Sequence, residues 1–515
     1  MKDRVFYFGQ DRLSIADAIA LIDGSLKGEL SKQARKKILK SFNVVKNIAA
    51  SDKAVYGVNT GFGVLCRTVI EPSKRQKLQY NLLKSHSFGV GSLVDKRIAK
   101  LMLILKVHSL SMGYSGVSLE TIERIIWHIN NDCIPIVPMK GSVGASGDLV
   151  PLAHLFLPLI GLGFVEFNGK KMEADKALKQ AGLKPLILHP KEGLALINGT
   201  QFISSWAVWG LYRFKNLLEH ADITAAITIE ALKGSIRPFD ERLHKLRPFK
   251  GNLYVAKKIY SLLEDSEIVR SHINCNKVQD PYSLRCVPQV HGACWDAFLH
   301  LKEKLLIEIN SVTDNPVVFD EETVLSGGNF HGEPVGMAID YASLAAVELG
   351  NIIDRRCNLL LAGDDELPKM LLEEVGINSG FMISEYVTAA LASENKTMAF
   401  PATADTIPTS LGQEDHVSMA SIAAVKFNRI LDNLTDIVAI EFLLAFQGFG
   451  FRRPLVSTEP IEKVIAIISD VVEFAREDRI FSYDVEKLRK LIESSRIVKS
   501  IEGYYPNQLS QTFQL

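Results

Sequence analysis

The sequence predicts a mainly α protein, and three observations lead to that prediction. Apolar residues recur at helical spacing along much of the chain, strand signals are few and short, and two long segments carry few charges. These two segments, 341–361 and 421–447, are apolar nearly all round. Such helices are typical of the inside of a bundle or of a subunit interface.

Shorter helices have recognisable starts. Ser118 is placed to cap a helix whose apolar face runs through 119–129. Pro460 follows Thr458 in the first turn of another predicted helix, where its missing N–H group does no harm. The charged triplet 354–356 interrupts the first long segment, and we expect it to form an ion cluster at an interface.

Strand signals are confined to two places. Residues 163–171 predict a small hairpin with its turn at Asn168 and Gly169, and 316–319 predict a short strand. The longest uncharged apolar stretch, 149–165, is broken by prolines and glycines and is shorter than the ~20 residues that a membrane helix needs. We therefore expect it to be buried core.

The composition argues against several classes of protein. The formal net charge is zero and 47% of the residues are hydrophobic, so neither nucleic acid nor an acidic membrane surface is a favoured partner. The short basic cluster 32–37 predicts a solvated helix face. Six scattered cysteines without a CxxC pair indicate a reduced compartment, and we expect a cytoplasmic enzyme. No metal site is expected, because His128, His272 and His331 lack ligand partners at helical or short-loop spacing.

Ala145, Ser146 and Gly147 are the most informative residues, because such a triplet can make an electrophile from its own backbone. The Gly147 nitrogen attacks the Ala145 carbonyl carbon, and loss of two waters leaves a methylidene-imidazolone ring. Nearby glycines permit the tight bend that cyclisation needs. An isolated Ala-Ser-Gly is more often an ordinary turn, and Asp148, which follows, equally suits a helix N-cap.

The segment around this triplet, GSVGASGDLVPLAH, resembles the ring-forming segment of the aromatic amino-acid ammonia-lyases, and most closely their histidine ammonia-lyase branch. Further segments resemble that family in the same order along nearly the whole chain: 56–63 (YGVNTGFG), 85–86, 198–200, 278–289 (VQDPYSLRCVPQ), 326–334 (SGGNFHGEP) and 413–419 (QEDHVSM).

The resemblance implies a mainly helical fold with a long central helix bundle and a smaller N-terminal region that carries the electrophile. It also implies a methylidene-imidazolone group (MIO) formed from 145–147 without an external cofactor, and a homotetramer whose active sites draw on more than one subunit. On this basis we divide the chain into two regions. Residues 1–200 hold a lid loop and the electrophile-forming loop, and residues 201–515 hold the long helices that complete the active site and the oligomer interface.

Removing ammonia from an α-amino acid needs an electrophile for the amine, a base at the β-carbon and a positive group for the carboxylate. The resemblance associates Asp148 with ring formation and makes Arg285, with its planar two-pronged guanidinium, the carboxylate clamp. Tyr56 is the leading base, although a phenol with a pKa near ~10 needs a nearby positive charge or helix dipole to act at neutral pH.

The resemblance assigns four more residues to the surroundings of the substrate. Gln279 and Tyr282 share the motif of Arg285 and lie around the substrate and the ring. Asn198 is the expected hydrogen-bond donor to the ring oxygen or the departing amine. Phe330 resembles the aromatic residue that packs beside the electrophile, whereas the neighbouring His331 is equally suited to a structural role.

Two positions bear on the substrate. His86 falls where histidine-specific and tyrosine-specific members of the family carry histidine, so it argues against phenylalanine. Glu414 occupies a position where histidine ammonia-lyases carry glutamate, and a carboxylate facing an imidazole accepts its N–H and favours its charged form. An acid preceding a helix is the alternative reading of Glu414. Whether Tyr56 or Glu414 is the base stays open.

The resemblance therefore implies an enzyme that converts L-histidine to trans-urocanate and ammonia. Tyrosine ammonia-lyase and aromatic aminomutase activities are the nearest alternatives, and a non-enzymatic amino-acid-binding relative is a distant one, because the triplet, Tyr56 and Arg285 are all present. Three positions depart from the family pattern: Gly412, Phe400 and His291.

Overall fold

A computed structural model describes residues 4–51, 54–61, 63, 68–273, 277–363, 366–504 and 511–515. The prediction of a mainly α fold is confirmed. The helices of the N-terminal region are α1 (Ile15–Asp23), α2 (Lys32–Ala50), α3 (Pro72–His86), α4 (Lys96–Ser111), α5 (Leu119–Asn130), α6 (Leu149–Phe156), α7 (Ala174–Gln180) and α8 (Glu192–Ile197).

The remainder of the described chain is almost entirely helical. Its helices are α9 (Gln201–Ala231), α10 (Glu241–Lys245), α11 (Lys250–Leu263), α12 (Glu267–Arg270), α13 (Tyr282–Arg285), α14 (Val287–Glu308), α15 (Glu333–Ala362), α16 (Met382–Met398), α17 (Ala420–Gly450), α18 (Glu459–Ser469), α19 (Ser482–Glu493) and α20 (Arg496–Ile501).

Short strands make four small sheets among the described residues. They pair β1 (Val5–Tyr7) with β2 (Lys27–Glu29) in parallel, and β3 (Val90–Leu93) with β5 (Pro138–Lys140), β4 (Ile134–Pro135) with β6 (Phe164–Phe167), β6 with β7 (Lys170–Glu173) and β8 (Val317–Val318) with β9 (Val324–Leu325) in antiparallel fashion. The predicted hairpin is the β6–β7 pair, with Asn168 and Gly169 both at positive φ in its turn.

Four long helices, α9, α14, α15 and α17, pack against one another and form the central bundle. The two longest, α9 and α17, have 31 residues each and so extend about 46 Å. Both helices are buried along most of their length. For α17 this confirms the prediction made from the few charges in segment 421–447. Helix α15 begins eight residues before the predicted 341, because Pro334 sits in its first turn, where a missing N–H costs nothing.

An ion cluster does form at Arg356, but its expected place at an interface is wrong for this residue, because the pair is buried inside the chain. The Arg356 guanidinium bonds Glu441 of α17, and its Nη1 lies 3.1 Å from Nε2 of His291 on α14. Nδ1 of His291 in turn lies 2.8 Å from Asp222 of α9. Burial lowers the pKa of His291 to about 4, so the ring is neutral, donating to Asp222 and accepting from Arg356. These contacts join all four helices of the central bundle.

Other local predictions hold where the side chains are described. The Ser118 hydroxyl accepts from Thr121 N at the start of α5, and Pro460 lies in the first turn of α18. The two-region division stays a prediction. Gln201 starts α9, yet one cluster of buried apolar residues runs from Phe6 to Phe513 through both regions. Across the described ranges, every helix is too short or too polar to cross a membrane.

Candidate active site

The segment 141–148, here called the Ser146 loop, connects β5 to α6 and bends tightly at its centre. Ser146 and Gly147 have φ values of 53° and 76°, in the left-handed region that side chains resist. A Cβ atom on Gly147 would lie 2.2 Å from the Gly199 carbonyl oxygen. Position 147 is therefore compatible with glycine alone, and Ser146 beside it is held in a strained conformation.

A second loop, 198–200, lies directly against the first and joins α8 to α9. Asp148 N donates to the Gly199 carbonyl at 2.8 Å, and Asn198 Nδ2 donates to the Ser146 carbonyl at 3.1 Å. Asn198 is 4% exposed, and its Oδ1 has no hydrogen-bond partner in the described part of the chain. The amide thus holds the Ser146 backbone by one end and keeps an unused acceptor at the other.

Asp148 precedes α6, but its side chain does not cap that helix. Its carboxylate is fully buried and accepts from Ser142 Oγ at 3.0 Å and from Ile203 N at 2.9 Å. It therefore ties the Ser146 loop to the first turn of α9. Burial raises the pKa of Asp148 to about 7, although these two hydrogen bonds favour the charged form.

Lys106 is a buried residue of this site that the motifs did not reveal. Its Nζ donates to the Asn198 carbonyl oxygen and lies 3.4 Å from Gln201 Oε1. Burial lowers the pKa of Lys106 to about 7. A single lysine in the otherwise apolar run 101–107 was the available sequence signal. Its ammonium group positions the loop that carries Asn198.

Glu414 reaches the Ser146 loop from a distant part of the sequence. Its Oε1 accepts from Ser146 Oγ at 3.0 Å, and its Oε2 accepts from Thr409 Oγ1 at 2.8 Å. The alternative reading, an acid at a helix start, is wrong, because α17 begins six residues later at Ala420. Glu414 lies instead in a loop closed by backbone pairing with Thr409.

His86 is the last residue of α3 and lines the same cavity as Ser146 and Glu414. Its Nδ1 lies 2.9 Å from the Leu82 carbonyl oxygen, which can only accept, so Nδ1 carries the proton. Burial lowers the pKa of His86, while the charge of Glu414 opposes that shift. The ring is therefore neutral near pH 7, and Nε2 is its acceptor.

Ser146, Asn198, Glu414 and His86 line one cavity of about 1040 Å³, whereas Lys106 and Asp148 lie behind its wall. Of the predicted site residues, the cavity brings together Tyr56, His86, Ala145, Ser146, Asn198, Phe330 and Glu414. The Tyr56 hydroxyl accepts a hydrogen bond from Gly63 N at 3.5 Å, within the predicted lid loop 56–63. Phe62 of this loop lies outside the described residues. Among its described lining residues the cavity has the acids Glu414 and Asp415 but no lysine or arginine.

Gln279, Tyr282 and Arg285 lie elsewhere in the same chain. Asp280 accepts from Ser235 N at 2.7 Å, which fixes this segment beyond the C-terminal end of α9. The cavity is at the N-terminal end of α9, so the length of that helix, about 46 Å, separates the two groups. The Arg285 guanidinium lies 4.5 Å from the centre of the Tyr282 ring, which is 71% exposed.

A cluster of possible metal ligands lies at the wall of the cavity. His331, Glu333 and His416 each offer one ligand atom, and these atoms lie within 4.8 Å of one another. The sequence analysis found no ligand partners for His331 at short spacing. His416 is 85 residues away in the sequence, and only the folded chain brings the two histidines together. Both histidines line the cavity.

Known proteins resemble the chain over most of its length. The family model "Aromatic amino acid lyase" matches residues 13–470. A histidine ammonia-lyase of Idiomarina loihiensis is 46% identical over 486 residues, which cover 94% of this chain and 95% of that protein. The crystal structure of histidine ammonia-lyase from Trypanosoma cruzi matches with a TM-score of 0.91 at 38% identity, covering 99% of this chain and 97% of that chain.

A second solved structure has the same fold and a different name. Tyrosine aminomutase from Streptomyces globisporus matches with a TM-score of 0.92 at 30% identity, covering 98% of this chain and all of that one (100%). The family model matches well over half of the chain, and these relatives cover nearly all of it. The chain therefore belongs to the aromatic amino acid lyase family.

Proposed function

We propose that this chain is a carbon–nitrogen lyase that converts L-histidine to trans-urocanate and ammonia. The observation that carries the proposal is a single cavity in which the Glu414 carboxylate reaches Ser146 and which the neutral ring of His86 also lines. A carboxylate at this position suits an imidazole substrate, because it accepts the ring N–H and stabilises positive charge. Histidine ammonia-lyases that are 42–47% identical over most of the chain support the same substrate.

The residues of the Ser146 loop fit the methylidene-imidazolone group. The positive φ values at Ser146 and Gly147 bend the backbone, and the space at Gly147 excludes a Cβ. The unused Oδ1 of buried Asn198 offers an acceptor beside the ring position. The group, once formed from Ala145, Ser146 and Gly147, supplies an electrophilic carbon for the substrate amine, which no ordinary side chain does.

Other residues of the chain position the ring-forming loop, bind the substrate and remove its proton. Asn198 holds the Ser146 carbonyl, and Lys106 holds the backbone of Asn198. Glu414 orients the imidazole of the substrate and is one candidate to remove the β-proton; Tyr56, on the lid loop, is the other. Phe330 covers the reacting end of the cavity as an apolar wall.

We further propose that the active enzyme is a homotetramer with shared sites. The substrate carboxylate needs a cation, and the described cavity residues include none. Arg285 of the partner subunit, with the partner's Tyr282 and the partner's Gln279, would supply it. The exposure of Tyr282 and the position of this group at the far end of α9 support assembly in which opposite ends of the central bundle meet.

The cysteines support a reducing, cytoplasmic location. Cys133, Cys286, Cys294 and Cys357 are free thiols, whereas Cys66 and Cys275 lie outside the described residues.

The direct test is the ultraviolet absorbance of the purified protein incubated with L-histidine and, separately, with L-tyrosine. We expect a urocanate band from L-histidine alone. A p-coumarate band would instead assign a tyrosine ammonia-lyase, and a β-amino acid product would assign an aminomutase. Intact mass provides a second readout, because ring formation lowers the mass of the chain by two waters.

A further inference from the structure

Three side chains at the cavity wall are arranged as metal ligands. His331 lies in the loop before α15, Glu333 is the first residue of that helix, and His416 lies in the loop before α17. One ligand atom from each lies within 4.8 Å of the others. Two separate loops therefore bring an imidazole–carboxylate–imidazole set to one point.

The carboxylate of this set has an unused oxygen. Oε2 of Glu333 is buried and finds no hydrogen-bond partner within the described ranges. A buried carboxylate oxygen without a partner is costly, and a cation beside it removes that cost. Since no lysine or arginine is among the described residues that line the adjoining cavity, a bound metal ion is the natural counter-charge.

The two rings are free to ligate. The His331 ring makes two contacts, one from Glu333 N to Nδ1 and one from Nε2 to the His416 carbonyl oxygen, both at 3.4 Å. These distances exceed the usual 2.7–3.2 Å of N–H···O bonds, so the contacts hold the ring only weakly. The two rings are stacked, with their centroids 5.6 Å apart, and both border the cavity.

We propose that His331, Glu333 and His416 bind a divalent transition-metal ion of the zinc type, one per subunit. Two imidazoles and one carboxylate suit zinc or cobalt rather than magnesium or calcium, which prefer oxygen ligands. Three protein ligands leave a fourth position for water or a small ligand. Because both histidines line the cavity, that position is open to its interior.

Binding requires a small contraction of the cluster. Zinc holds its ligand atoms at about 2.0–2.2 Å, so the ligand atoms must move together from their present spacing. His331 and His416 both lie in loops, and the weak contacts of His331 allow its ring to turn. Helix α15 supplies Glu333 as the fixed member of the set.

Cobalt(II) is the probe that tests the site, because a tetrahedral nitrogen–oxygen site gives it strong visible absorption. The assembled protein is first treated with a chelator and then titrated with Co²⁺ in the absence of any amino acid. We expect one bound ion per subunit, a visible band that saturates with binding, and displacement of that band by Zn²⁺.

Two variants locate the ion. Glu333→Gln keeps the shape of the side chain and removes its charge, and we expect the affinity for Co²⁺ to fall at least about tenfold. His416→Asn should abolish the visible band. The matched control is Glu348→Gln, which changes an exposed glutamate on the same helix, α15. This variant should bind Co²⁺ with the affinity of the unmodified protein.

Equal affinity in Glu333→Gln and the unmodified protein would overturn the proposal, as would a binding curve without a saturable band. Circular dichroism of each variant checks that the helices are intact. Because the titration contains no substrate, its outcome does not depend on which amino acid the enzyme consumes. Failure of the metal site and failure of the proposed activity are thus separate results.

Discussion

Glu414 is the residue on which the proposed choice of substrate depends. Its carboxylate accepts from Thr409 Oγ1, and this contact remains after ring formation has removed the Ser146 hydroxyl. Glu414→Gln keeps an oxygen that can accept from Thr409 but loses the charge that would face the imidazole of the substrate. We expect kcat for L-histidine to fall by at least about 100-fold, within the usual range for loss of acid–base assistance.

Urocanate absorbance gives the rate, and intact mass shows whether the ring still forms in Glu414→Gln. The matched control is Asp405→Asn, an exposed acid in the same loop segment that does not line the cavity. Its kcat should equal that of the unmodified enzyme. Undiminished turnover in Glu414→Gln would remove the carboxylate from the mechanism and leave Tyr56 as the base.

Asp148 makes the stability of the fold depend on pH in a predictable direction. Burial raises its pKa in the folded state to about 7, above the unfolded value of ~3.9. The folded state therefore binds the proton more tightly, and the contribution of Asp148 is fully present below pH ~4 and is lost as the pH rises through about 7. Ionisation costs up to about 4 kcal/mol over this window.

Urea unfolding at pH 4 and pH 7 measures this cost when Asp148→Asn is compared with its parent. Both chains carry Ser146→Ala, so that ring formation does not differ between them. We compare the free energy of unfolding of the parent with that of Asp148→Asn at each pH. The parent should be less stable, relative to Asp148→Asn, at pH 7 than at pH 4. A constant difference would show that Asp148 keeps an ordinary pKa in the folded protein.

At the scale of elements, the site is built where two loops meet at the start of α9. Gly147 and Gly199 pair across these loops, and both have positive φ. A Cβ on Gly199 would lie 2.6 Å from Gln201 Oε1 and 2.8 Å from Thr313 Oγ1. A side chain at position 199 would therefore displace the buried Gln201 or Thr313 side chain, and the φ of 129° would strain the backbone where it supports Ser146.

Gly199→Ala should displace this support and prevent ring formation. We expect the intact mass to equal the full sequence mass, without the loss of two waters, and activity to disappear. Gly169→Ala is the matched control, because Gly169 also has positive φ but has nothing within 4 Å of the added Cβ. It should cost only about 1 kcal/mol of stability and keep the ring. A cyclised Gly199→Ala chain would contradict the proposed role of loop packing.

The sequence predicted the elements better than the contacts between them. The helical spacing of 421–447 and the turn at Asn168 and Gly169 are local signals, and both appear in the structure. Lys106 carries no local signal beyond a lone charge in an apolar run, yet it holds Asn198. The cluster of His331 and His416 is likewise invisible in the sequence, because only the fold brings two loops 85 residues apart together.

At the scale of the whole molecule, the predicted site residues fall into two groups at opposite ends of one helix. The proposed mechanism uses Ser146 and Arg285 in a single reaction, whereas the fold separates them by the length of α9, about 46 Å. A helix of this length, buried in the central bundle, cannot bend to bring its ends together. The two groups can therefore meet only between subunits, if both serve the same substrate.

Mixed assemblies decide whether the site is shared. Ser146→Ala and Arg285→Gln should each be inactive alone, the first without the electrophile and the second without the carboxylate clamp. When both chains are co-expressed and assemble at random, about a quarter of the sites should combine an intact Ser146 with an intact Arg285 from another subunit, as symmetry requires. Turnover of L-histidine near a quarter of the unmodified rate is thus expected. If Arg285 acted within its own chain, no mixture would recover activity, because every chain lacks one of the two residues.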